Sequence, residues 1–168
     1  MPKMWERKPT LARSYVYIRA YCGPILTLLP IQEGASMPSE DATFEEIDAY
    51  FKNDKFAAMA GCELVDARKG HAVVEMPITD NLRNAQGGVM GGAIFTLADF
   101  ALAVACNVGE DPTVSVSNTI EFLSSTKADT LIAMANTEKS GRHLGFYTVD
   151  VVDSAGKHIA RMSATCYR

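Results

Sequence analysis

The spacing of apolar positions changes several times along the chain, and each change predicts an element. Behind the order Thr43-Phe44-Glu45-Glu46, which fits a capping box, Ile47, Tyr50 and Phe51 recur at helical spacing and predict a short amphipathic helix to about Asn53. After Gly61 the pattern becomes alternating. Cys62 to Arg68, a Lys69-Gly70 turn and His71 to Ile78 read as a hairpin that Pro77 and Asp80-Asn81 bring to an end. From Ala93 to Cys106 the residues are mostly Ala, Leu and Phe, with no Pro or Gly, over a length too great for a buried strand. This predicts a helix that is apolar nearly all round and buried on most faces, opened by Gly91 and Gly92 and closed by Gly109. Beyond it, Thr113–Leu123, Leu131–Glu138, Leu144–Val152 and Lys157–Cys166 read as strands, with turns at Ser140-Gly141 and Ser154-Ala155-Gly156.

Strands grouped around one apolar helix predict an α+β fold, an antiparallel sheet curled round the helix. Thr96 and Asp99 are the polar exceptions inside that helix. An unpaired ionised carboxylate there would cost several kcal/mol, so Asp99 needs a partner, a wet cleft or a substrate. Thr96, on the same face, is one candidate partner. The glycine-rich turn before the helix is either a tight turn for close packing or an oxyanion site, since a helix N-terminus offers free N–H groups and partial positive charge. Gly91 and Asp99 are separated by about 12 Å along the axis and about 80° of rotation. One helix cannot bring both to one carbonyl. If both act on the same carbon, the acid comes from a second chain whose helix packs antiparallel, which predicts a homodimer with two shared sites.

Composition narrows the functional classes. With 168 residues, 48% hydrophobic and 21% charged, the chain suits one domain with a sizeable core. A net charge of -4 and a pI near 5.4 give no nucleic-acid footprint. Residues 1–36 carry +3 against -7 for 37–168, a boundary that marks them as a dispensable or disordered extension; a cleaved leader and a start at Met37 are the alternatives. Tyr21 to Ile31 contains Pro24 and Pro30 and is too short to span a bilayer, so no membrane association is expected. Cys22, Cys62, Cys106 and Cys166 show no ligand or disulfide-framework spacing, which points to a reducing cytoplasm and to no metal site. Phosphate-loop, dinucleotide and serine-hydrolase elbow motifs are absent.

Asn84, Gly87, Gly91, Gly92, Leu97 and Asp99 fall on the spacing N-x-x-G-x-x-(H)-G-G-x-x-x-x-L-x-D, which resembles the hotdog-fold acyl-CoA thioesterases of the phenylacetate-degradation (PaaI-like) group. Pro112–Lys127 and Ser140–Arg168 resemble that family's following strand and closing hairpin. The resemblance implies a hotdog fold and hydrolysis of acyl-CoA without a separate cofactor, at subunit interfaces of dimers that pair into tetramers. It implies that the Gly91 N–H stabilises an oxyanion, that Asp99 acts as general base or nucleophile, and that Asn84 positions water or substrate. Ser115 would orient the attacking water, or simply face outward on its strand. For the CoA moiety it implies Met90, Gly92, Ser117, Phe122, Ser124, Ser125, Thr126 and Lys127, together with the turn residues Ser140, Gly141, Arg142 and His143. Acyl preference would depend on how Phe95, Phe100, Phe122 and Phe146 pack across the dimer. Met90 departs from the pattern, standing where most members carry His. That loss of a donor opens a second function class, a non-catalytic acyl-CoA-binding protein, while a dehydratase is disfavoured because its acid-histidine pair is missing from the helix.

Overall fold

The computed structural model describes residues 36–168; the predicted extension, with its leader and start-site alternatives, lies outside the described residues except for Ser36. Helix α1 spans Phe44–Phe51 and starts with the expected capping box, Thr43 Oγ1 accepting from Glu46 N while Glu46 Oε2 accepts from Thr43 N. A second short helix that the apolar pattern did not announce, α2, spans Lys55–Ala60. Asp54 caps it by accepting from the N–H groups of Phe56 and Ala57, and Gly61 ends it in the left-handed region. Strands β1 (Glu63–Arg68) and β2 (His71–Pro77) form the first hairpin, and a single 3-10 turn at Asp80–Leu82 leads into helix α3, Gly91–Asn107. Strands β3 (Val114–Phe122), β4 (Thr130–Ser140), β5 (Leu144–Asp153) and β6 (His158–Tyr167) complete the chain.

The six strands of the described residues join one sheet in the order β1-β2-β4-β5-β6-β3, every pair antiparallel. Among the described residues, strand β3 therefore lies at an edge, paired on one side only. Helix α3 contacts all six strands, so the sheet curls round it. The alternation expected of a half-buried sheet is plain in β2, where Ala72, Val74 and Met76 are fully buried, and recurs at Leu131, Ala133 and Ala135 and at Tyr147, Val149 and Val151. Alanines on both sides of the contact, Ala98, Ala101 and Ala105 on the helix against Ala72, Ala133 and Ala135 on the sheet, let the backbones approach closely.

The end of α3 is held firmly. Asn107, 8% exposed, donates to the carbonyls of Ala103 and Thr113 and accepts from Thr113 N at 2.8 Å, tying the last helical turn to the start of the β3 segment. Gly109 follows with φ +67°, as the pattern predicts, and a Cβ there would also lie 2.9 Å from Glu40 Cα. On α3 the less buried positions Gly92, Phe95, Thr96, Asp99 and Ala103 recur every three or four residues, one stripe left uncovered by the protomer's own sheet.

Candidate active site

The segment before α3 is a small closed loop built on Asn84. Its side-chain oxygen accepts from Gln86 N and Gly88 N at 2.9 and 3.1 Å, its backbone N–H donates to Gly88 O, and Arg83 bridges to Val89. With its carbonyl used twice by the loop, the Asn84 NH2 group is the part left to meet water or substrate. Met90 is the N-cap of α3, 55% exposed, and its side chain makes no capping bond. Its carbonyl accepts from Ala93 N and Ile94 N, while the N–H groups of Gly91 and Gly92 have no acceptor among the described residues. Two free donors thus stand at the positive end of a 17-residue helix. Phe122, at the end of β3, covers Gly91 so closely that a Cβ there would sit 3.2 Å from the ring.

Asp99 is half-buried, two turns further along α3. Its partner is not Thr96, whose hydroxyl turns back to donate to Gly92 O at 2.9 Å, but Asn118, whose Nδ2 donates to Asp99 Oδ1 at 3.2 Å and reaches Ser115 Oγ at 3.4 Å. Residues three apart on a regular strand face opposite ways. Here a bulge intervenes, Ser115 pairing with Cys166 but Ser117 with Thr165, so that Val116 is the extra residue and Ser115 joins Asn118 on the helix side. The Asn118 Oδ1 atom is buried without a partner among the described residues. The Asp99 carboxyl titrates above the ordinary aspartate range. Burial is the main cause, the negative charge of Asp54 adds to it, and the Asn118 hydrogen bond opposes both.

The remaining predicted residues fall into two groups. Asn84, Gly88, Ile94, Ser124, Ser125 and Thr126 line one cavity of about 240 Å³ beside the helix N-terminus. Within it the Thr126 hydroxyl is already engaged, donating to Asp153 Oδ2 at 2.6 Å and accepting from Ala128 N. Lys127 is exposed beyond it, and Ser117 lies on the face of β3 opposite Asn118. At the other end of the sheet, Ser140 and Gly141 are fastened by Arg168, which the sequence did not single out: its Nη1 donates to Ser140 Oγ at 2.8 Å and Gly141 O at 2.9 Å, its Nη2 to Tyr147 Oη at 3.1 Å. Arg142 is exposed, and His143 stacks on Tyr167. Val114 and Leu144 both pair with Tyr167, so this turn lies at the start of β3 and the first group at its end. A nine-residue strand at about 3.4 Å per residue separates them by roughly 27 Å.

Comparison with known proteins bears on this arrangement. A family model described as "Thioesterase superfamily" matches residues 86–160, the stretch that carries Gly91, Asp99 and Asn118. Acyl-coenzyme A thioesterase PaaI of Escherichia coli is 32% identical over 126 residues, covering 74% of this chain and 90% of the relative. The chain belongs to the thioesterase superfamily. Human acyl-coenzyme A thioesterase 13 is 34% identical over 122 residues, 70% of this chain and 87% of that one. The solved E. coli PaaI structure matches with a TM-score of 0.69 at 33% identity, over 71% of this chain and 88% of that one. A solved Streptococcus mutans structure bound to acetyl CoA matches with a TM-score of 0.60 at 26% identity, over 63% of this chain and 86% of that one. The hotdog fold expected from the motif is the fold this superfamily member adopts.

Proposed function

We propose that the chain hydrolyses acyl-CoA thioesters to the free acid and CoA, in two sites shared between the protomers of a homodimer. The observation that carries the reading is the pair of unpartnered N–H donors at Gly91 and Gly92 on the same helix as the half-buried acid Asp99. The names of the relatives agree with it, one structure neighbour being bound to acetyl CoA.

A dimer supplies the missing geometry. Pairing the free edge of β3 with its own copy about a two-fold axis runs the two strands antiparallel and sets the start of one beside the end of the other. The turn at 140–143 then joins the Ser124–Thr126 segment of the other protomer, and Asp99 joins the other protomer's Gly91. One symmetry operation thus closes two gaps, about 12 Å along α3 and about 27 Å along β3. Dimers pairing into tetramers, in a cytoplasmic setting, extend the same reading.

In each site the thioester carbonyl oxygen sits at the Gly91 N–H. Asp99 either removes a proton from water as the water attacks the carbonyl carbon or attacks that carbon itself to form an anhydride that water then cleaves. Oxyanion charge gathers at the helix N-terminus, a contribution of about 3–4 kcal/mol for one such donor. Collapse expels the CoA sulfur, which takes up a proton. Asn118 holds Asp99, and Ser115 stands where it can share the attacking water. The raised pKa of Asp99 makes it a stronger base than a free aspartate.

The test is thiol release from a panel of acyl-CoAs by wild type and Asp99→Asn. Turnover of at least one ester by wild type, with a loss of about a hundredfold or more in the variant, is the expected result. Binding of acyl-CoA without thiol release by either protein would replace the hydrolase reading with the binding-protein reading, and Met90 would mark the change.

A further inference from the structure

A second cavity, of about 320 Å³, opens on the opposite flank of α3 from the Asn84 loop, and the mechanism above does not use it. Its floor is aromatic: Phe51 and Phe100 meet edge to face with centroids 6.3 Å apart and are almost fully buried, and Leu64 adds to the wall. Cys62 contributes as an apolar group, because burial, and after it the charge of Asp54, pushes its thiol up to about 12 and keeps it protonated. The rim is acidic, with Asp48, Asp54 and Glu63 against one cation, Lys52, which is already paired with Asp48. The cavity lies close to the candidate site: the charge of Asp54 on its rim acts on the Asp99 carboxyl, and α2, which Asp54 caps, packs against α3.

We propose that this cavity seats the far end of the acyl group and selects uncharged acyl chains against those that end in a carboxylate. The proposal rests on the thioester reading above and adds the substrate class. An acyl group whose carbonyl lies at Asp99 sends its tail toward Asp54 and into the cavity, over the two rings. The volume is at the small end of the roughly 300–1,000 Å³ typical of ligand pockets, which suits a ring or a chain of about six carbons. A terminal carboxylate there would lose its hydration and face the charges of Asp54 and Glu63, with no free cation among the described residues of the rim to offset them.

Binding of two hydrolysis-resistant thioethers, S-hexyl-CoA and S-(5-carboxypentyl)-CoA, measured by calorimetry on the full chain, tests the selection without depending on turnover. Wild type should bind the hexyl compound at least about tenfold more tightly, a difference of about 1.4 kcal/mol. The double variant Asp54→Asn/Glu63→Gln should bring the two affinities to within about threefold, and Asn keeps the cap of α2. A third variant, Ala58→Phe at the cavity mouth, should weaken S-hexyl-CoA while sparing S-methyl-CoA. Equal affinities in wild type, or a ratio unmoved by the double variant, would overturn the inference and leave the hydrolase reading intact. Selective thioether binding by a protein that releases no thiol would sink the hydrolase reading alone. Failure to bind any of the thioethers overturns both.

Discussion

Two aspartates in this chain are tuned in opposite directions, and their effects on stability should have opposite signs. Asp99 titrates high, so its proton is held more tightly in the folded chain than in the unfolded one. Its contribution is fully present below the unfolded value of about 3.9 and is lost as pH rises through the folded value, which leaves it a liability at neutral pH. Asp153 titrates low because the Thr126 hydroxyl and the N–H groups of Lys157 and Ala155 hold its charged form. That contribution is present above about 3.9 and is lost as pH falls through the folded value. Thermal melts at pH 7 should therefore show Asp99→Asn melting higher than wild type and Asp153→Asn melting lower. A higher melting point combined with lost thiol release is what a residue kept for chemistry gives. Asp54 raises the pKa of Asp99 through its charge, so Asp54→Asn should move the acid limb of the kcat/KM profile to lower pH. An unmoved limb would mean that Asp99 is not the group whose ionisation the rate reports.

At the scale of elements, α3 separates what folding needs from what the site needs. Gly91 has ordinary helical geometry, and alanine there would gain about 1 kcal/mol of helix propensity. The cost would come from a Cβ 3.2 Å from the Phe122 ring, beside the free N–H donors. Gly91→Ala should therefore keep the melting point within a few degrees while kcat/KM falls about a hundredfold, as a displacement on the order of 1 Å can cause. The helix was legible in the sequence because composition, length and flanking glycines all agreed, and the strands because their alternation is regular. Helix α2 escaped because six residues carry too little periodicity, although Asp54 and Gly61 were there as caps. Asn118 escaped for a different reason: the bulge at Val116 puts it on the same face as Ser115, against the alternation that sequence reading assumes. Arg168 escaped because only the fold brings the last residue against the turn at Ser140 and Gly141, where its side chain is 9% exposed. Removing it leaves Ser140, Gly141 and Tyr147 short of a donor. Arg168→Ala should lower stability by about 2 kcal/mol in urea titration.

For the whole molecule, the decisive question is whether each site takes Gly91 from one protomer and Asp99 from the other. The protomer separates them on one helix, and among the described residues its β3 edge is free along nine residues. Shared sites have a consequence that sites within one chain lack. A Gly91→Ala protomer still offers a sound Asp99, and an Asp99→Asn protomer still offers a sound helix N-terminus. When the two inactive variants are unfolded together and refolded as a mixture, about half of the dimers are mixed, and each mixed dimer holds one intact site out of two. The mixture should recover about a quarter of wild-type activity, whereas either variant refolded alone, or the double variant refolded with itself, should stay at about a hundredth or below. Sites built within single chains would leave the mixture as inactive as its parts. Recovery near a quarter would establish at once that the protein assembles at least as a dimer and that the oxyanion donors and the acid act on one carbon from two chains.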